Sequence, residues 1–95
     1  MSAPGVLTIG PSLAPADVGA LCERLRAIMR DGGVREVVCD VAAVTEPDVT
    51  TLQALARLQL TAKRLGGRVV LARPGERLSG LLRLTGFGEI LPVAE

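Results

Sequence analysis

The chain has 95 residues, 48% of them hydrophobic, with 11 Lys and Arg against 10 Asp and Glu. That is enough apolar material for one small core and too much for a disordered chain, while a formal charge of +1 excludes a strong field steering it to nucleic acid or an anionic membrane. Histidine, Trp and Tyr are absent and Phe87 is the single aromatic, which removes the commonest metal ligand and general base and most stacking platforms for single strands, and leaves an aliphatic core.

Met1 to Gly5 lacks the charged start and long apolar run of a signal peptide. No stretch reaches the ~18 apolar residues of a membrane span. The expectation is a single cytoplasmic domain over residues 1–95 with no direct membrane insertion. Val6-Leu7-Thr8-Ile9, stopped by Gly10-Pro11, predicts a first strand. Pro15 and Asp17 suit a helix start. Val18, Leu21, Cys22, Leu25, Ile28 and Met29 then recur on one helical face until Gly32-Gly33. Val34 to Val41 is rich in β-branched residues and predicts a central strand buried on both faces. Ala42 to Thr51 reads as a loop with Glu46-Pro47-Asp48 at its tip. A second helix carries Leu52, Leu55, Leu58, Ala62 and Leu65 on one face, with Leu60 off it. After Gly66-Gly67, Arg68 to Ala72 predicts a third strand. Pro74-Gly75 turns into a short helix with Leu78, Leu81, Leu82 and Leu84, stopped by Gly86. Ile90-Leu91 predicts a last short strand ended by Pro92. The order βαβαβα(β), with strands joined through helices, implies a mostly parallel α/β sheet with right-handed crossovers.

The chemistry-bearing residues are sparse. Cys22 and Cys39 are too few for a four-ligand zinc site; the reading favoured for both is small buried hydrophobes, over a regulatory disulfide. Asp40 ends a strand and reads as a hydrogen-bonding structural acid without a partner base. Gly75 and Gly80 lack the Lys-Ser/Thr ending of a phosphate loop. With no nucleophile–base pair, no reaction class can be assembled, and the expectation is a non-enzymatic chain without cofactor or metal.

The stretch Val37-Val38-Cys39-Asp40-Val41, the loop through Pro47, and Asp48-Val49-Thr50-Thr51-Leu52 together resemble the centre of the STAS domain, the family of sulfate transporters and anti-sigma factor antagonists. Arg64-Leu65-Gly66-Gly67, Leu84-Thr85-Gly86-Phe87 and Ile90-Leu91-Pro92 fall where that family has its glycine turn, its closing Thr-Gly-Leu and its apolar tail. Gly10 and Leu13 resemble its Gly-x-Leu-Asp, with Ala14 where Asp stands. The resemblance implies a single-domain STAS-like α/β fold and a partner-binding module. In antagonists, a Ser directly after the loop Asp is phosphorylated by an anti-sigma factor kinase, at a helix N-terminus that tolerates a phosphate.

Here that position is Val49, and the glycines that follow in the family are Thr51 and Gln53. The switch is therefore either absent or displaced to Thr50 or Thr51. Thr50 and Gln53 also fit a capping box that needs no function, and this reading is preferred for Thr50; Asp48 equally fits the cap itself or a partner-facing acid. The expected partner-binding loop is Glu46, Asp48, Val49, Thr50 and Thr51, with Thr50 and Thr51 as candidate phosphoacceptors. The expected partner is a protein, an anti-sigma factor kinase, with no nucleic acid; the alternative is a STAS adaptor of a transporter or signalling assembly without a phospho-switch.

Overall fold

The computed structural model describes residues 5–94; the reading of Met1 to Pro4 as other than a signal peptide lies outside them. Three strands, β1 (Gly5–Thr8), β2 (Glu36–Asp40) and β3 (Arg68–Ala72), pair in parallel in the order β1-β2-β3. The register sets Gly5 beside Val37 and Val69, and Leu7 beside Cys39 and Leu71. Successive side chains of a strand point to opposite faces, so these six share one face, and all six are buried.

Three helices, α1 (Asp17–Gly32), α2 (Val49–Arg64) and α3 (Glu76–Thr85), follow the three strands. The first two crossovers each advance one strand in the same direction, so a common right hand places α1 and α2 on one face of the sheet. Leu21, Leu25 and Met29 of α1, Leu52, Leu55 and Leu58 of α2, and Leu78 and Leu82 of α3 join the inner strand row in one aliphatic core. The expectation that β2 is buried on both faces is corrected by this topology. Val37 and Cys39 are fully covered, but Val38 is only half-buried, beside Val6 at 49% exposure. On this outer row only Val70 of β3 is buried, at 3% exposure, so the cover fades from β3 across β2 to β1.

Turn chemistry sets the boundaries. Gly33 closes α1 in the left-handed conformation, φ 61°. After α2 the chain needs two glycines for different reasons: Gly66 has φ +80°, and Gly67 packs so tightly that a Cβ there would fall on the Arg35 carbonyl and the Met29 methyl. Arg68 N–H donates to that same Arg35 carbonyl at 2.8 Å, which starts the β2–β3 ladder.

The tail departs from expectation. Phe87–Glu89 is a 3-10 turn, and Ile90-Leu91 forms no strand. Pairing with β3 comes later: Leu71 N–H donates to the Pro92 carbonyl at 2.8 Å, and Ala94 N–H to the Leu71 carbonyl at 2.7 Å. Leu91 is instead fully buried in the core. The outer edge of β3 has a second cover. Gln59, 4% exposed on α2, accepts from Val69 N–H at 2.8 Å and donates to the Val69 carbonyl at 3.0 Å and the Ile90 carbonyl at 2.6 Å. Its amide imitates the missing neighbouring strand.

Two leucines of the helices lie outside the core, one of them, Leu65, expected on the apolar face of α2. Leu84 is 86% exposed, since it lies about 140° round α3 from the middle of the stripe of Leu78 and Leu82. Leu65 is the C-cap of α2 and 43% exposed.

Candidate functional site

In a parallel sheet all strands end on the same side, and the loops that follow them gather there. On this side lie the segment after β2, the turn after β3 and the N-terminus of α2. Asp40 closes β2. Its carboxylate accepts from Ala42 N–H at 3.0 Å and pairs with Arg73 at the end of β3. The Arg73 hydrogen bond, followed by that of Ala42, holds the Asp40 carboxyl below the usual carboxylate range. Arg73 adopts φ 57°, unusual for a residue with a side chain. Asp40 is thus a structural acid that ties two strand ends together.

Val41 continues the ladder through Val41 N–H to the Ala72 carbonyl at 3.1 Å, and Val44 N–H turns back to the Val41 carbonyl at 3.0 Å. Val44 is buried and pins the loop to the core, leaving Thr45 and Glu46 outside. Glu46 lies 3.9 Å from Arg77 of α3, an exposed pair of little energetic weight.

Helix α2 starts at Val49, two residues before the expected end of the loop, because Asp48 is its cap. Asp48 is extended (φ −135°, ψ −171°) and its Oδ1 accepts from Thr51 N–H at 3.0 Å. Thr51 Oγ1 returns the bond by accepting from Asp48 N–H at 3.3 Å, and its hydroxyl lies 3.1 Å from Asp48 Oδ1. This is a reciprocal capping box with Asp48 and Thr51 as its ends. The expected box of Thr50 and Gln53 is therefore corrected: Thr50 is already inside the helix and Gln53 is exposed.

These positions divide the loop residues by access. Thr51 is 5% exposed, its hydroxyl spent on the cap. Thr50 is half-buried, and Val49 presents an apolar side chain at 67% exposure beside the exposed Asp48. Glu46, Asp48 and Val49 thus form one outward-facing set, while Thr51 belongs to the scaffold beneath it.

Sequence reasoning missed the other half of this surface. A shallow cleft of about 340 Å³ separates the loop from α3, bordered by Glu46, Pro47, Glu76, Gly80, Leu81 and Leu84. The signal was available in principle, since Leu84 falls off the apolar face by the helical period. Among the described residues no three His, Cys, Asp or Glu side chains gather to hold a metal ion. Cys22 and Cys39 are free and buried in the core; burial pushes the Cys39 thiol up to about 12. No helix among the described residues is long and apolar enough to cross a membrane.

Comparison with known proteins adds two findings. The family model described as "Mlab, STAS domain" matches residues 2–92. Two structures of TM1081, a proposed anti-sigma factor antagonist of Thermotoga maritima, share the fold at 17% identity. The solution structure superposes with TM-score 0.78 over 95% of this chain and 72% of that one. The crystal structure gives 0.67 over 98% and 75%. No curated protein sequence matches.

Proposed function

Since this chain belongs to the STAS domain family, we propose that it is a non-enzymatic docking module of the anti-sigma factor antagonist type, binding a protein partner through the start of α2. The observation that carries this reading is Val49, an apolar side chain 67% exposed on a helix end held rigid by its capping box. An exposed apolar group on an ordered element, rimmed by Glu46 and Asp48, is what a small protein interface requires. Leu84, 86% exposed across the cleft, widens the same surface.

On this reading the partner is an anti-sigma factor with kinase activity, in the cytoplasm, and the phosphoacceptor is Thr50. Of the two threonines only Thr50 has a hydroxyl outside the capping box, and phosphate one residue into α2 sits among the free N–H groups of the first turn. A phosphate placed beside the apolar Val49 and next to Asp48 adds a charge that the docking contact must desolvate, and releases the partner.

A second reading is favoured by one specific feature. Val49 stands where the family's phosphoacceptor would, and Thr51 is enclosed. A module lacking the switch would serve as an adaptor subunit of a transporter or signalling assembly, using the same face.

The test pairs binding with phosphate transfer. Anti-sigma factor kinases of the native host are titrated against the chain by calorimetry, with Asp48→Lys and Val49→Glu as variants. Incubation with the kinase and ATP is followed by phosphopeptide mapping. Submicromolar binding weakened by both variants supports the docking face, and modification at Thr50 supports the switch. Tight binding without modification selects the adaptor reading. Affinity unchanged in both variants removes this face from the interface.

A further inference from the structure

Away from the strand ends, α1 and α2 leave a trough between their outer flanks. Two adjoining hollows of about 540 and 420 Å³ share Arg57 and Leu60. The first is mainly apolar, with Val18, Ala56 and Phe87, the second mainly polar, and Leu60, 49% exposed, lies where they meet. The α2 wall carries Arg57 and Arg64, neither with an ion-pair partner among the described residues, whereas Arg26 opposite is matched by Glu23. The trough therefore joins apolar surface to uncompensated positive charge.

Gly19 supplies an independent observation. Glycine inside a helix is unfavourable relative to alanine, so its presence in α1 calls for a packing or functional reason. Packing supplies none, because a Cβ at Gly19 would meet nothing within 4 Å. What the missing side chain does is keep the α1 wall low along this hollow.

We propose that the α1–α2 trough is a docking groove for an acidic amphipathic helix of a partner protein. Both walls are intact helices with no free strand edge. An extended peptide lying there would bury backbone N–H and C=O groups without partners. A helix satisfies its own and offers apolar anchors at every third or fourth residue. From Pro15 to Arg26 the α1 wall runs ~16 Å, about three helical turns. An occupant of that length sets apolar side chains on Val18, Leu60 and Phe87 and carboxylates against Arg57 and Arg64. This groove begins one turn along α2 from Val49 and does not depend on docking at the loop.

The probe is a displayed library of helix-forming peptides of about 16 residues, selected against the full chain. The expected binders carry Leu or Phe at helical spacing flanked by Glu or Asp. By fluorescence anisotropy the best binder loses about tenfold or more in affinity on Arg57→Glu combined with Arg64→Glu. Gly19→Gln, which fills the groove without touching the core, reduces binding similarly while circular dichroism stays native. A Lys-for-Glu version of the peptide regains affinity for the double-Glu variant, and Glu46→Lys, in the loop but outside the cap of α2, has no effect. The proposal is overturned by failure to select any binder, by binders without acidic bias, or by indifference to Gly19→Gln. Loss on Glu46→Lys alone returns the binding to the loop. A dimer of the chain that Gly19→Gln dissolves gives the groove to a second copy.

Discussion

Replacing Gln59 by Leu isolates the contribution of a single side chain to the closing of the sheet. Leucine keeps roughly the volume of glutamine and the helical propensity of the site, so α2 itself is unperturbed. Lost are the three hydrogen bonds to Val69 N–H, the Val69 carbonyl and the Ile90 carbonyl. A backbone group left buried without a partner costs about 1–3 kcal/mol. The Ile90 carbonyl borders an open cleft with Lys63 and Pro92 and recovers water there, so the two Val69 groups dominate. Against about 2–6 kcal/mol from that pair, the added apolar burial of Leu returns about 1 kcal/mol. The net loss is about 1–5 kcal/mol, centred near 3 kcal/mol, a large fraction of the 5–15 kcal/mol typical of a whole domain. At about 4–8 °C per kcal/mol for a chain of this size, the centre of that range corresponds to a drop of roughly 12–24 °C in Tm. With no Trp or Tyr in the chain, urea and thermal unfolding are followed by far-ultraviolet circular dichroism. Amide exchange provides the residue-level check: Val69 N–H accelerates far more than Cys39 N–H on the central strand. A loss below ~1 kcal/mol, or unchanged Val69 protection, would refute the assignment of Gln59 as the cover of this edge.

The capping box predicts that Asp48→Ala costs about 1–2 kcal/mol in urea unfolding while Asp48→Asn is nearly neutral, since asparagine caps equally well. Equal losses for the two would mean that charge, not the hydrogen bond to Thr51, matters. Burial of the Cys39 thiol raises its folded pKa to about 12, above the unfolded value. The neutral thiol therefore favours the folded state below the unfolded pKa, and that contribution is lost as pH rises toward about 12; Cys39→Val flattens this alkaline slope in unfolding titrations. In native buffer at neutral pH Cys39 reacts with a disulfide reagent only as fast as the chain opens, and rapid modification without unfolding would contradict its burial. Gly67→Ala and Gly19→Ala have opposite signs: the first pushes a Cβ onto the Arg35 carbonyl and destabilises by more than ~2 kcal/mol, the second gains up to ~1 kcal/mol in calorimetric melts. A stable Gly67→Ala protein would show that the α2–β3 turn has slack.

Much of the fold was legible because the helices obey their period. The stretch starting near Pro15–Asp17 and stopping at Gly32-Gly33 is α1, Asp17–Gly32. The three main strands fell where β-branched residues cluster. What the period could not show is which faces the topology leaves bare. Val38 reads as core from its neighbours, yet parallel steps in one direction put both crossover helices over Val37 and Cys39 and none over Val38. Gln59 was invisible for a related reason. A search for apolar spacing passes over a polar residue, although position 59 lies on the same buried face as Leu52, Leu55 and Ala62. A polar side chain on such a face is itself a signal, because burial there demands backbone partners. At the site, Asp48 and Thr51 lay within a loop whose ends were read by composition. The choice between two overlapping capping boxes, Asp48 with Thr51 or Thr50 with Gln53, depends on where the chain turns extended, and only the backbone angles decide it.

The two borders of the sheet have unequal prospects for growth. At β3, the glutamine amide and the crossing of Pro92 to Ala94 use up the groups a newcomer would need. Along β1, alternation turns Val6 and Thr8 N–H and C=O away from β2, and nothing comparable closes them among the described residues. Any lineage that enlarges this architecture by acquiring strands thus has one direction open to it. Insertions that lengthen the chain near its end meet a side already sealed, and must either break the Gln59 latch or be carried outside the sheet altogether.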